Sequence, residues 1–362
     1  MARQTGAGLA ETVGPFPGVS RFYSHDAHFW VGKTMRRLVI IALAICAFGG
    51  GYAFAHWRAI SSQVWPGTLT EDLESRQIPA WAQPCHPPSD IEAHRDMAAL
   101  QVLQMFPAPS VDMRLAAMAY FGQPWQRRSV DDRDVRPPCL SDGMKDEITK
   151  ALDQSGGLGP GLAGEEAIGL VEQLGPRQPA YAALIAATAF SPDKVRLSDV
   201  ANDPFGYDIR PHARMVLAEL GAQAQPWAAK AVSDMSAKDA LGIGAAQVAV
   251  GGGDPRALPA VRDMMVEILA RTPESKPVPL ADRRRLYQLA YALGMAGSAA
   301  EPYSAPLASL LARKIESRAP PYGLIAYDPI RMCAVAAHIG GRVAAAAQGH
   351  VYCRNALAAF EQ

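Results

Sequence analysis

The sequence predicts an all-α protein, and two features of its composition indicate this. Alanine, the strongest helix former, is the most frequent residue, whereas runs of Val, Ile, Thr and aromatic residues are scarce. Glycine and proline, with 31 and 29 of the 362 residues, lie somewhat above average but well below the level of disordered chains. We therefore expect a folded chain of many short helices, with ample length for a buried core.

The charge of the chain excludes functions that depend on a strong overall electrostatic field. There are 35 Lys and Arg residues against 35 Asp and Glu residues, so the formal net charge is zero. Nucleic-acid binding through bulk neutralisation of phosphates needs clustered Lys and Arg. No nucleic-acid partner is expected.

One segment predicts the cellular location. Residues Leu38–Ala55 carry no charge and follow Lys33, Arg36 and Arg37. An apolar run of this length with positive charge on its N-terminal side is typical of a membrane span whose N-terminus stays in the cytoplasm. The sequence thus predicts an inner-membrane anchor at residues 38–55, with everything after His56 exported to the periplasm.

A cleaved signal peptide is the alternative. Ala53-Phe54-Ala55 fits the small-x-small cleavage pattern behind an apolar core, and translation from Met35 would give a signal peptide of ordinary length. The body would then be soluble in the periplasm after cleavage near Ala55. Both interpretations place the body outside the cytoplasm.

Cysteine usage agrees with export, because disulfides persist in oxidising compartments. Apart from Cys46 in the apolar segment, the chain has four cysteines, an even number, without C-x-x-C spacing. The preferred pairing is Cys85 with Cys139 and Cys333 with Cys353, because each pair closes one local region at one end of the body. Four buried thiols are the alternative.

The chain divides into four predicted parts. They are a disordered cytoplasmic tail (1–34), the transmembrane or signal segment (35–57), a Pro-rich helical neck (58–160) and a helical repeat domain (161–362). In the neck, the capping box Ser89–Glu92 opens a helix predicted to reach Phe106, and Ser110 precedes a second helix. A polar loop, QRRSVDDRDVRPP, follows.

The region beyond residue 141 is repetitive. Five Ala-rich apolar helix patterns each end in an aliphatic residue followed by glycine, and a second helix pattern follows at least three of them. The five pairs, at spacings of 46, 30, 43 and 46 residues, are Leu174-Gly175, Leu220-Gly221, Val250-Gly251, Leu293-Gly294 and Ile339-Gly340.

The clearest unit is Ala240–Ala270. Its first helix is predicted to end in Gly251–Gly253, with Asp254 as the N-cap and Pro255 as the first residue of the second helix. The stacking face of that second helix is predicted to comprise Leu258, Val261, Met265 and Ile268.

This unit carries a family resemblance. Gly253–Val261 resembles the turn and second-helix opening of HEAT-like repeats, of the short kind found in phycobilisome lyases, and Leu286–Leu311 is similar. Arg214–Met235 and Arg331–Phe360 are weaker copies. The resemblance covers roughly residues 165–360. It implies a short HEAT-like α-solenoid that serves as a binding scaffold and carries no catalytic residues.

Motifs for common enzyme chemistry are absent or out of context. Gly159–Gly164 matches G-x-G-x-x-G but follows a helical pattern instead of a strand. Ser191–Lys194 matches S-x-x-K without the S-D-N or K-T-G motif that accompanies it in penicillin-binding enzymes. Both are interpreted as structural, so neither catalytic residues nor cofactors are expected.

One cluster is a candidate metal site. Asp90 and His94 lie one helical turn apart and, with His86, could hold a metal ion through carboxylate and imidazole ligands. Ordinary helix capping is the alternative. His338 and His350 stand alone in an Ala-rich region and are interpreted as packed or surface residues.

Arg283, Arg284 and Arg285 open a predicted helix, where positive charge opposes the helix dipole. They are a candidate binding patch for an anionic partner, and a solvated surface is the blander interpretation of the same residues. The leading hypothesis is a non-enzymatic interaction module of the bacterial cell envelope that binds another envelope protein or a polymer. The alternatives are an exported metal-dependent enzyme or accessory protein using the metal cluster above, and a self-associating spacer.

Overall fold

α-Helices make up the regular structure of the described part of the chain, so the predicted all-α class is confirmed there. The computed structural model describes residues 82, 85–105, 111–123, 127, 137–154, 158, 164–195, 208–313, 328–350 and 353–354, which belong to one compact unit. Within these ranges no β-strand occurs, and one isolated bridge joins His86 to Pro138. The helices are α1 (Asp90–Gln104), α2 (Val111–Gly122), α3 (Asp142–Gln154), α4 (Glu165–Leu174), α5 (Pro179–Ala189), α6 (Arg210–Glu219), α7 (Gln225–Asp234), α8 (Ala240–Gly251), α9 (Ala257–Ala270), α10 (Leu280–Met295), α11 (Ala305–Ala312), α12 (Asp328–Ile339) and α13 (Gly341–Gly349), with 3₁₀ turns at Gly221–Ala224 and Gly297–Tyr303.

Local sequence sets the start of α1, as predicted. Ser89 and Glu92 form a capping box, in which the Glu92 N–H donates to Ser89 Oγ at 3.4 Å and the Ser89 N–H donates to Glu92 Oε2 at 2.8 Å. The helix ends at Gln104, slightly before its predicted end. α2 begins directly after Ser110, also as predicted.

Two sets of helices alternate along the chain from α4 to α13. In the first set, which we call the first row and which also includes α2, the helices α2, α4, α6, α8, α10 and α12 contact one another in succession. We call the helices that alternate with them, α5, α7, α9, α11 and α13, the second row; within it α9 contacts α11 and α11 contacts α13. The first row lies in the core, because every residue of 242–250 in α8 and 286–293 in α10 is buried. A helix that is apolar all round, as α8 is, has to be buried in this way.

A glycine with positive φ follows each first-row helix from α4 onward. These glycines are Gly175, Gly221, Gly253, Gly297 and Gly340, spaced 46, 32, 44 and 43 residues apart. Glycine adopts this conformation without steric strain, which lets the chain turn into the second-row helix. Four of the five predicted turns are confirmed, including the one within Gly251–Gly253. The turn predicted at Gly294 is wrong, because α10 continues to Met295 and the chain turns at Gly297.

Asp254 does not cap α9 directly, contrary to the prediction. Its carboxylate accepts the N–H of Arg256 at 2.9 Å in a separate turn, and α9 begins at Ala257. The predicted stacking face of α9 is present. Val261, Met265 and Ile268 are buried, and Leu258 packs half-buried against the same core.

Glycines allow first-row helices to touch backbone to backbone. A Cβ atom on Gly251 of α8 would lie 2.2 Å from the carbonyl oxygen of Ala218 in α6. A Cβ atom on Gly169 of α4 would lie 2.6 Å from the carbonyl oxygen of Gly122 in α2. Closely packed interiors do not accommodate such overlaps, so both crossings require glycine.

The predicted neck and repeat domain share one hydrophobic core. Buried apolar residues form a cluster that includes residues from Ala82 to Cys353, and α2 of the neck packs on α4 of the repeats. Residue 160, the predicted boundary, therefore does not separate two independent cores.

Both predicted disulfides are present, and the alternative of four buried thiols is wrong. The Cα atoms of Cys85 and Cys139 lie 5.2 Å apart, and those of Cys333 and Cys353 lie 5.3 Å apart. No helix in the described ranges is both long enough and apolar enough to cross a membrane. The predicted membrane segment 38–55, like the tail 1–34, lies outside those ranges.

Candidate binding surface

The three arginines of the predicted patch do not share one surface. They occupy the first two turns of α10, where successive side chains point about 100° apart. Arg284 is buried, whereas Arg283 and Arg285 are half-buried. The prediction of one contiguous basic patch is therefore wrong, because helical geometry directs its middle residue into the core.

Asp282, in the first turn of α10, neutralises part of the remaining positive charge. Its Oδ1 lies 3.4 Å from Nη1 of Arg285 and 3.5 Å from Nη1 of Arg271, which also pairs with Glu267 at 2.7 Å. A carboxylate at this position also complements the helix dipole. Within the described part of the chain, Nε of Arg283 has no hydrogen-bond acceptor. That nitrogen is itself buried and does not face solvent, although the Arg283 side chain as a whole is half-buried.

A further arginine, close to the C-terminal end of α9, has a structural role. Arg313, which follows α11, donates from Nη1 to the carbonyl of Thr272 at 2.9 Å and from Nη2 to the carbonyl of Leu269 at 3.2 Å. These carbonyls lie at the C-terminal end of α9, where helices leave acceptors unsatisfied. Arg313 therefore caps α9.

The predicted metal ligands are not brought together. Nδ1 of His94 lies 2.6 Å from the carbonyl oxygen of Asp90, and Nδ1 of His86 lies 2.8 Å from the carbonyl oxygen of Pro87. Each imidazole thus bonds to nearby backbone. Among the described residues, no group of three or more His, Cys, Asp or Glu side chains is arranged to hold a metal ion, and this covers His86, Asp90 and His94 as well as the lone histidines His338 and His350.

The structure describes all of the Ser191–Lys194 motif and one residue of the Gly159–Gly164 motif. Ser191 Oγ donates to the carbonyl of Asp193 at 3.0 Å, which is a local turn interaction and fits the structural interpretation. The Ser191 carbonyl also accepts from Nη1 of Arg210 at 3.1 Å. Of the Gly159–Gly164 motif, only Gly164 lies in the described ranges, where it is the N-cap residue of α4.

Sequence reasoning missed the most deeply buried charged residue of the described chain, Arg127, which lies in the predicted polar loop. Arg127 is fully buried and donates to both carboxylate oxygens of Asp96. It also donates to the carbonyls of Pro138 at 2.6 Å and Cys139 at 3.4 Å. Tyr120 donates its hydroxyl to Asp96 at 3.0 Å. We call these five residues the Arg127 cluster.

Burial acts on the Tyr120 hydroxyl of the Arg127 cluster. It raises the pKa of the Tyr120 hydroxyl, and the negative charge of Asp96 raises it further. Tyr120 therefore remains a hydrogen-bond donor to the carboxylate at neutral pH. The sequence signal for this cluster was an acidic residue, Asp96, at the helical spacing that places it on the face of α1 with Glu92, Leu100 and Leu103.

Arg214 of α6 joins three helices. It donates from Nε to the carbonyl of Ala189 at the end of α5, and from Nη1 to the carbonyl of Leu241 at the start of α8. Its guanidinium stacks over the ring of Phe190 at 5.0 Å, and Lys230 of α7 lies 4.8 Å from the same ring. Burial lowers the pKa of Arg214. The residue thus acts as an internal crosslink.

Two further buried polar pairs join neighbouring helices of the first row. Nε2 of His212 in α6 lies 3.0 Å from Oε2 of Glu172 in α4, and Gln247 of α8 donates to the side chain of Gln288 in α10 at 2.9 Å. Buried polar groups of this kind need partners of fixed geometry. Both pairs therefore set the register between stacked helices.

The second-row helices provide the extended exposed surface of the repeats. Val266 of α9 is 51% exposed and is the one large exposed apolar residue of this row in the described chain. Most other exposed positions carry small side chains, among them Ala183, Ala187, Ala229, Ala270, Ala305 and Ala312. Exposed charged side chains, among them Lys230, Asp263 and Glu267, stand between these small ones.

Comparison with known proteins assigns no family. No protein-family model, no curated protein and no solved structure matches this chain.

Proposed function

We propose that this chain is a membrane-anchored, exported scaffold of the bacterial cell envelope, which binds a protein or polymer and does not catalyse a reaction. Residues 38–55 anchor it in the inner membrane with the N-terminus in the cytoplasm. Its periplasmic body is a short HEAT-like solenoid.

The two-row arrangement supports the solenoid. From α4 to α13 each first-row helix is followed by a glycine turn and a second-row helix, and each first-row helix contacts the next one along the chain. Helical-repeat proteins are built in this way, with contacts confined to neighbouring repeats.

The two disulfides support export. Disulfides form and persist in oxidising compartments such as the periplasm and are rare in the cytosol. The charge-free segment 38–55 lies ahead of all four paired cysteines, so either an anchor or a cleaved signal would deliver them to that compartment.

The exposed second row is the single observation that carries the binding role. Extended surfaces across stacked repeats are the sites that solenoid proteins use for partners. On this row, Val266 offers an apolar contact, and Arg271 follows the last residue of α9. Ala270 lies between them, and the exposed carboxylates of Asp263 and Glu267 flank Val266.

Site-specific photo-crosslinking tests the binding role. A photoreactive residue at Val266 should capture a discrete partner in cells, whereas the same residue at the exposed Lys150 of α3, outside the second row, should not. Equal capture at both positions, or none at Val266, would contradict the proposal.

Mass spectrometry of the mature N-terminus, with alkaline extraction of membranes, tests the anchor. An intact N-terminus in the extracted pellet is expected. A mature chain beginning at His56 would replace the anchor with a cleaved signal.

A further inference from the structure

The two disulfides differ in access to solvent. Cys333 and Cys353 are both 0% exposed, whereas Cys85 is exposed and Cys139 is half-buried. Thiol–disulfide exchange requires a thiolate to reach one of the two sulfur atoms. Of the two disulfides, Cys85–Cys139 is the one whose residues reach solvent.

The accessible disulfide also lies beside a short backbone pairing. The His86 N–H donates to the Pro137 carbonyl at 3.0 Å, and the Cys139 N–H donates to the His86 carbonyl at 2.7 Å. Two hydrogen bonds and one covalent bond thus hold the chain before α1 against the chain before α3. A pairing this short depends on the crosslink, because isolated two-stranded contacts are marginally stable in water.

This pairing completes the Arg127 cluster. Arg127 donates to the carbonyls of Pro138 and Cys139, and the disulfide and the pairing with His86 hold these two residues in place. A buried guanidinium that loses acceptors pays a desolvation penalty, so separation of the paired segments weakens the cluster. The oxidation state of one disulfide is therefore coupled to a buried ion pair.

We propose that Cys85–Cys139 is a redox-controlled disulfide, the substrate of a dithiol reductant, and that its reduction loosens the Arg127 cluster while Cys333–Cys353 stays oxidised. A thiolate of the reductant attacks a sulfur of the disulfide, forms a mixed disulfide and displaces a cysteine thiolate. The second thiol of the reductant then releases the other cysteine. Two electrons pass to the protein, two protein thiols form, and the reductant becomes a disulfide. The proposal is independent of the scaffold function.

Differential reduction tests the first half of the proposal. The oxidised full chain, with free thiols blocked, is treated with dithiothreitol under native conditions, quenched by alkylation and mapped by mass spectrometry. Cys85 and Cys139 should be alkylated about a hundredfold faster than Cys333 and Cys353, because the buried pair reacts only through opening of the fold. Equal rates for the two disulfides would overturn the proposal.

Hydrogen exchange tests the coupling. In the selectively reduced chain, the amides of His86 and Cys139 should lose protection, whereas the Cys353 amide, bonded to the His350 carbonyl at 3.1 Å, should not. Arg127→Met should shift the thiol–disulfide equilibrium of Cys85–Cys139 with dithiothreitol severalfold towards the reduced form, since coupling between equilibria is reciprocal. Selective reduction with unchanged protection at both amides, or an unchanged equilibrium constant in Arg127→Met, would show that the disulfide and the cluster are independent.

Discussion

Arg127 and Asp96, 31 residues apart in the chain, form a buried ion pair in which the guanidinium meets both carboxylate oxygens. Pairing of this two-point kind is specific in geometry, and it tolerates burial only when the remaining donors are also satisfied. Here the carbonyls of Pro138 and Cys139 complete the set. The pair therefore fixes the end of the loop after α2 against α1.

Removing one partner of this pair should destabilise the fold. Arg127→Met leaves the Asp96 carboxylate buried without its cation, and we expect a loss of about 3–5 kcal/mol in the free energy of unfolding. Chemical denaturation of the oxidised chain measures it. The double variant Asp96→Leu, Arg127→Met removes both charges and should recover most of the loss. A single variant as stable as the parent would contradict the structural role of the pair.

Gly251→Ala should destabilise the crossing of α6 and α8. The new Cβ atom would overlap the Ala218 carbonyl, and relief of that overlap requires a backbone shift that costs about 1–3 kcal/mol. The matched control is Gly143→Ala in α3, where no atom lies within 4 Å of the added Cβ. That control should gain about 0.5–1 kcal/mol, since alanine favours helix. Equal unfolding midpoints for the two variants would refute the close approach.

Stability should fall at high pH because of Tyr181. Burial, and next the charge of Asp153, raise the pKa of its hydroxyl from 10.0 to about 12. The folded state therefore holds this proton more tightly than the unfolded state. The stabilisation is complete below pH 10 and is lost as the pH rises towards 12. Denaturation across this pH range should show that the free energy of unfolding falls more steeply with pH for the parent chain than for Tyr181→Phe. Parallel curves would contradict the shifted pKa.

The different burial of Arg284 and Arg283 can be tested by measuring the stability of variants. Arg284→Ala removes a buried polar side chain and should lower the free energy of unfolding by about 1–3 kcal/mol. Arg283→Ala truncates a half-buried neighbour and should change it by no more than about 0.5 kcal/mol. Denaturant titration of both variants gives the comparison. A larger loss in the free energy of unfolding for Arg283→Ala than for Arg284→Ala would contradict the burial of Arg284.

Features that depend on neighbouring residues were predictable. The Ser89–Glu92 box and the turns at Gly175 and Gly340 follow from hydrogen bonding and backbone conformation within a few residues. The helix end predicted at Gly294 was wrong, because glycine is also tolerated inside a helix when tertiary packing buries it. The helix continues to Met295, and the chain turns at Gly297.

The candidate sites were less predictable. Spacing placed His86, Asp90 and His94 near one another in sequence, yet the two imidazoles bond to backbone carbonyls. Three adjacent arginines suggested one surface, yet a helix sends adjacent residues in different directions, and one of the three entered the core.

The sequence by itself determined the helical class and four of the five glycine turns between helices, because composition and backbone conformation are properties of short segments. It indicated the pairing of the four cysteines through their order along the chain and left four buried thiols as the alternative. Only the tertiary structure decided that Arg127 pairs with Asp96, that Arg284 is buried and that one disulfide is accessible while the other is not. Burial and charge pairing depend on residues that meet only when distant helices pack, and no local pattern records those contacts.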